Sequence, residues 1–158
     1  MLGFPHPVNE KAARVVAGCV ALLALVALLT GWDWLIAVIA VGFVLRVLAG
    51  PRLSPLGLFA TKVVAPRLGP PKEVSGPPKR FAQGMGAVMA GAAAVLAIAF
   101  DAETAANVLL VALLIAATLE SVFAFCVGCR TFGLLMRAGV VPDEVCARCA
   151  DFRAPIVR

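Results

Sequence analysis

Charged residues fall along this chain in clusters, and four apolar blocks lie between them. The first block runs from Val15 to Gly31 without a charge, and Ala12 and Ala13 extend it. The second, Trp34 to Ala49, is broken only by Arg46. The third, Phe81 to Phe100, is uncharged, and the fourth, Thr104 to Cys129, holds only Glu120. A helix needs about 20 apolar residues to cross the hydrocarbon core, within a range of roughly 17–25. Blocks three and four meet that length, and blocks one and two are a little short of it. Arg46 can lay its aliphatic stem in lipid and keep its guanidinium at the headgroups. The apolar runs are continuous rather than alternating, which argues against barrel strands. The pattern predicts an all-α integral membrane protein with transmembrane helices at about 12–31, 34–49, 81–100 and 104–127.

Two connections are short. Trp32-Asp33-Trp34 joins spans one and two, and Asp101-Ala102-Glu103 joins spans three and four. The two Trp suit the aromatic belt of a membrane interface. The middle connection, 50–80, is long and Pro-rich, so the expected architecture is two helical hairpins linked by a polar loop and followed by a tail, 130–158. Within the loop, Pro55–Val64 is apolar with one Lys and too short to span. It reads either as a helix lying in the interface or as a loop packed on the base of the bundle. The stretch from Gly69 to Lys79 carries two Pro-Pro-Lys repeats and reads as extended. No clean small-x-small site precedes Trp32, so the first block reads as a retained span rather than a cleaved signal.

Composition agrees with lipid as the solvent. The chain has 158 residues, 62% of them hydrophobic, where soluble domains stay nearer half. The formal charge of +5 does not point to nucleic acid, because the basic residues sit between apolar spans, where anionic lipid headgroups and topology account for them. With four spans, all 14 Lys and Arg lie on the side of the N-terminus, the loop and the tail, while Asp33, Asp101 and Glu103 face the other side. The positive-inside rule then places both termini, the loop and the tail in the cytoplasm, and the chain in the inner or plasma membrane.

Span three carries small residues four apart, Gly86-Ala90-Ala94 with Ala87-Gly91, a spacing that lets helices approach closely in lipid. Intramolecular packing is the first reading of that stripe and a homodimer face the second. Ala17 and Ala21 offer a weaker version in span one. The halves share a faint pattern of basic residue, span, acidic turn and second span: Arg14 to Arg52 compares loosely with Arg80 to Arg130, as in a parallel repeat. Glu120 is the one acid inside a span, and an ion pair with Arg46 is expected of it. Asn107, near the outer end, is expected to hydrogen-bond another helix.

The chemistry that the sequence offers is in its cysteines. Cys19 stands alone in span one and reads as a small packing residue. The other four form two pairs, Cys126-Val-Gly-Cys129 and Cys146-Ala-Arg-Cys149. If span four stays helical, Cys126 and Cys129 share one face near the cytoplasmic interface. The second pair follows Pro142-Asp143-Glu144, which resembles the first turn of a helix. Cys146 would then sit at a helix N-terminus, where a thiolate is favoured, and Arg130 and Arg148 adjoin the pairs. Three readings remain open. The pairs are redox-active dithiols or a sulfur relay, with Cys146 the expected attacking thiol. They bind one Zn²⁺ through four thiolates, for which the spacing is suitable. Or they are free thiols without a role.

Phe4-Pro5-His6-Pro7-Val8-Asn9-Glu10, Gly50-Pro51-Arg52 with Ser54-Pro55, Pro78-Lys79-Arg80-Phe81-Ala82, and Glu120 followed by Phe125-Cys126-Val127-Gly128-Cys129 together resemble a bacterial membrane-protein family known as domain of unknown function 4395. The resemblance covers nearly the whole chain. It brings no established activity, but it implies a thioredoxin-like or sulfurtransferase partner. The expected function is a thiol-redox or sulfur-handling membrane protein that uses Cys126, Cys129, Cys146 and Cys149 with a soluble thiol partner. A zinc-stabilised scaffold or small transporter subunit is the alternative. No nucleophile–His–acid set, phosphate loop or His-Glu-x-x-His motif points to other catalysis.

Overall fold

The structure is a computed structural model; it describes residues 7–142 and Glu144. The expected cytoplasmic tail pair, Cys146 and Cys149, lies outside the described residues. Four helices are long and apolar enough to cross a membrane, so the all-α membrane architecture holds. They are α1 (Glu10–Thr30), the helical segment Asp33–Leu68 that begins with α2 (Asp33–Ala49), α4 (Gly76–Phe100) and α5 (Glu103–Phe123). A short α3 (Pro55–Phe59) lies in the connecting loop, and α6 (Val127–Arg137) follows the last span.

The ends of the helices follow from local chemistry. Asn9 caps α1, its side chain accepting from the backbone N–H of Lys11 at 3.0 Å. Gly31 ends α1 in the left-handed conformation, and Asp101 does the same for α4 at φ 49°. Trp32 and Trp34 stack beside the first turn, ring centroids 5.8 Å apart. The second Pro-Pro-Lys repeat does not stay extended: Gly76-Pro-Pro-Lys79 forms the first turn of α4, where Pro has no N–H to lose and its φ is already helical. Span three therefore starts five residues earlier than its apolar block. Two strand residues on each side, β1 (Val8–Asn9) and β2 (Glu73–Val74), pair antiparallel and tie the N-terminus to the loop. Lys72 and Glu10 bridge at 2.7 Å beside them.

The helices form a ring in the order α1, α2, α4, α5, with the most extensive packing between α2 and α4 and between α1 and α5. The core is built from small side chains. Ala24, Ala90 and Ala93 are completely buried, and Ile36, Ile39, Leu110 and Leu113 fill the middle. Gly86 lies against Phe43, so close that a Cβ there would overlap the ring. Of the small-residue stripe of span three, Gly86 and Ala90 are buried between helices of one chain and Ala87 and Ala94 are partly buried against the core, while a Cβ on Gly91 would meet open space; Ala93 and Ala97, outside that stripe, are buried as well. Large apolar side chains such as Leu29, Val88, Ile98 and Val108 stand on the outer surface, as expected of a bundle surrounded by lipid.

The loop segment 55–64 combines its two expected forms. It is helical, through α3 and a wider turn over Ala60–Val64. Gly57 and Ala60 are buried against the bundle, and Leu58, Phe59 and Val63 are exposed on the opposite side. Two arginines close helix ends across the bundle. Arg14 on α1 donates to the carbonyls of Ser121 (3.0 and 2.9 Å) and Val122 (3.1 Å) at the end of α5. Arg80 on α4 donates to the carbonyl of Val47 (3.2 Å) at the end of α2. Last-turn carbonyls have no intrahelical donor, so a cation there completes them.

Candidate functional site

The site lies at the loop end of the bundle, where α5 stops. The sequence reading carries span four to about residue 127, within an apolar block that runs to Cys129, but the helix ends at Phe123. Ala124 takes the left-handed conformation at φ 55°, which costs a residue with a Cβ roughly 1–2 kcal/mol. The chain turns at that point and starts α6. Cys126 becomes its N-cap: Sγ accepts from the backbone N–H of Cys129 at 3.3 Å. The expected pairing of Cys126 with Cys129 on the face of span four is thereby corrected, because the two cysteines span the first turn of a separate helix. The helix-terminal place expected of Cys146 is the place that Cys126 holds.

The turn is held by close packing. Gly128 sits 2.5 Å, measured from an ideal Cβ, from Ala82 on α4, so any side chain at 128 would push α6 away. Phe132 on α6 tilts against Phe81 on α4, centroids 5.5 Å apart. Cys126 is buried and Cys129 half-buried, and both are free thiols. The hydrogen bond between the two thiols is the main influence holding the Cys126 thiol below its ordinary value. Burial and the charge of Glu120 oppose it, while Lys79 and the Cys129 N–H assist. The same hydrogen bond, with burial and the charge on Cys126, pushes Cys129 well above the usual thiol range. The pair is thus polarised, the Cys126 thiol shifted toward ionisation and the Cys129 thiol away from it. Arg130, expected to act on this pair, is exposed and lies over the Phe125 ring at 5.2 Å.

Glu120 does not pair with Arg46. Its partner is Lys79, at 2.5 Å, with both side chains largely buried. Sequence reasoning missed Lys79 because it belongs to a Pro-rich repeat that looks like loop; only its place in the first turn of α4 turns it inward. Arg46 is 4% exposed. Its Nε donates to Gln83 Oε1 (2.8 Å) and its Nη1 to Ser54 Oγ (3.3 Å), and the guanidinium lies over the Phe43 ring at 4.5 Å. Its Nη2 has no acceptor among the described residues. Asn107 is exposed on α5 and makes no hydrogen bond to another helix among the described residues, against expectation.

Three cavities meet around these groups. One of about 390 Å³ lies among α1, α2, α4 and α5, opens outward beside the exposed Ile115, and is lined by Arg46, Gln83, Glu120 and Cys126 among mostly apolar side chains. One of about 360 Å³ opens at the loop end and is lined by Cys126, Cys129, Lys79 and Glu10. A third, of about 250 Å³, lies under the N-terminus and is lined by Arg46, Lys79 and Gln83. Among the described residues no three His, Cys, Asp or Glu side chains converge as a metal site; the four-thiolate arrangement involves residues beyond them.

These features define a helical membrane bundle with a dithiol capped onto the end of its last span. The family model for the domain of unknown function DUF4395 matches residues 8–137, and the chain belongs to that family. Comparison with curated proteins and with solved structures returned no match.

Proposed function

We propose that the protein is a thiol-dependent membrane protein that exchanges electrons or sulfur with a soluble thiol partner at the cytoplasmic face of the bacterial inner membrane. The carrying observation is Cys126: a buried sulfur at the N-terminus of α6, hydrogen-bonded to its CxxC partner and lining a surface cavity with it. The N-terminal end of a helix favours a thiolate, and the thiolate is the nucleophile of disulfide exchange. The Cys126 thiolate attacks one sulfur of a partner disulfide, forming a mixed disulfide and releasing a partner thiolate. That thiolate takes the Cys129 proton. Cys129 then attacks Cys126 Sγ, closing the pair and releasing the second partner thiolate. The partner is reduced by two electrons and the pair is oxidised by two. Cys146 and Cys149, nine and twelve residues beyond the end of α6, would relay the pair's oxidation state to that partner. The cytoplasmic assignment is supported by the placement of Arg14, Arg52, Lys79, Arg80 and Arg137 at the loop end and of Asp33, Asp101 and Glu103 at the other.

The test is partner trapping on the purified, reduced protein, with a thioredoxin whose resolving cysteine is replaced and whose remaining thiol is activated as a mixed disulfide with thionitrobenzoate as bait. Cys129→Ser should displace thionitrobenzoate and keep the bait as a mixed disulfide on Cys126, wild type should release the bait again as its own pair closes, and Cys126→Ser should form no adduct. Absence of any adduct with Cys129→Ser would remove the thiol reading. Elemental analysis decides the four-thiolate alternative: about one zinc per chain, with all four thiols shielded until chelation, would replace exchange by a structural metal site.

A further inference from the structure

The connecting segment 55–68 has two unlike sides. Gly57, Ala60 and Ala65 are buried, and Leu58, Phe59, Lys62, Val63 and Arg67 are exposed. The wide turn over Ala60–Val64 makes this division possible. The N–H of Ala65 donates to the carbonyl of Ala60, five residues back. Both alanines are therefore buried on the bundle side, where an ordinary α-helical turn would rotate one of them away.

The segment does not stand off from the bundle. Ala60 and Ala65 belong to the same buried cluster as Ala12 and Val16 of α1, and Gly57 and Thr61 share a cavity with Ala12, Ala13 and Val16. Lys11 Nζ donates to the carbonyl of Leu68 at 2.7 Å and ties the far end to the same helix. The chain after α2 thus folds back along the first turns of α1. At that height α1 leaves its charged residues, Glu10, Lys11 and Arg14, and becomes apolar. In a spanning bundle this is the boundary between headgroups and acyl chains. The outer side of the segment faces that boundary.

Its side chains suit the boundary. Leu58, Phe59, Val63 and Leu68 are apolar and exposed, Phe59 by 51%. Cations interleave with them. From Gly50 to Lys72 the chain holds Arg52, Lys62, Arg67 and Lys72 and no Asp or Glu. Lys72 is engaged by Glu10. Arg52, Lys62 and Arg67 are exposed and form no ion pair among the described residues. A side turned to water has no need of the apolar residues, and a side deep in the acyl chains would not tolerate three cations. Both together fit a helix lying in the interface, its apolar side chains among the upper acyl chains and its Lys and Arg stems reaching out to phosphates. An acidic protein would answer the charge, but it would have to sit beside the spans, at a height where lipid already stands.

We propose that segment 55–68 is an interfacial helix that enters the leaflet at the loop end of the bundle, and that it binds anionic phospholipid through Arg52, Lys62 and Arg67. Phe59 and Val63 lie among the acyl chains, and lipid phosphates accept from the three cations. The inference is independent of the chemistry of the dithiol.

The experiment uses the full chain in nanodiscs of phosphatidylcholine, with and without phosphatidylglycerol. Phe59→Trp in a Trp32→Phe/Trp34→Phe background leaves one indole, on a half-exposed side chain outside the core. Lipids brominated near the headgroup end of the acyl chain should quench it strongly, and acrylamide in the water only weakly. An indole quenched by acrylamide and untouched by brominated lipid would turn this side to water, as a surface for an acidic protein, and overturn the proposal. Selectivity is read by native mass spectrometry of the lipids that stay on the protein when it is released from the mixed discs. Wild type should retain phosphatidylglycerol over phosphatidylcholine. Arg52→Gln, Lys62→Gln and Arg67→Gln should each lower that preference by about fivefold. The triple variant should lower it further and keep the quenching by brominated lipid. An equal preference in wild type and triple variant would overturn the assignment of the three cations to lipid phosphate.

Discussion

Cys126 and Cys129 are chemically the same residue in sequence and different in the structure. The difference comes from one turn of backbone: Ala124 in the left-handed region ends α5, and Cys126 becomes a cap instead of a helix-surface residue. The expected consequence is selective alkylation. With iodoacetamide and peptide mass analysis, Cys126 should react before Cys129, with a rate midpoint below the free-thiol value of about 8.5. Because its folded value is depressed, the thiolate stabilises the fold above the unfolded value, and that contribution is lost as pH falls through the folded one. Lys79→Met removes a cation from beside the thiol and frees the Glu120 charge, so the midpoint should move upward. No movement would mean that Lys79 does not act on Cys126. At this scale the sequence was informative about residue type and poor about partners. The CxxC spacing marked the pair, but nothing in the repeated Pro-Pro-Lys said which Lys turns inward, and Glu120 was matched to Arg46 when Lys79 was its neighbour.

Among the elements, the four spans were legible because lipid demands a long uncharged run, and the runs are long. The limits of the helices were less so. Span four is apolar well past Phe123, and hydrophobicity carries no sign of a left-handed Ala. Span three begins within a Pro-rich stretch whose composition suggests loop, although Pro is at home in a first helical turn. The small-residue stripe was visible, but its face was resolved only by contact: Gly86 and Ala90 are buried, and a Cβ on Gly91 would meet open space. Gly86→Val should therefore destabilise the α2–α4 contact by overpacking Phe43, by roughly 1–3 kcal/mol. The drop should be visible as a lower thermal midpoint in detergent, while Gly91→Ala should leave the midpoint unchanged. Equal effects would show that the α2–α4 contact is not as close as described.

In the whole molecule, the two hairpins answer each other. α1 packs on α5 and α4 on α2, and Arg46 and Glu120 occupy the same place, each three residues before the end of its helix. The faint parallel pattern of the sequence thus has a counterpart in the packing. At these matched places the halves carry opposite charges, and they meet at the inner cavity. The orientation of this bundle is a prediction from charge. A fluorescent protein that matures only in the cytoplasm should light up when fused after Arg158 and stay dark when inserted at Ala102. The reverse would put the dithiol in an oxidising compartment and turn exchange into structural disulfide formation.

The crossed arginine caps bear on how such a protein is made. A ribosome delivers the first hairpin while Arg80 is still to come, so the end of α2 waits without its donor. Arg14, already present, does not meet these carbonyls until α5, the last span, emerges. Each half is completed by a residue of the other, and an arginine of the first span engages the last span. Assembly is therefore a closure rather than an accumulation. A nascent chain that has inserted two spans is still an open form, and the bundle locks only when synthesis of the membrane part is over.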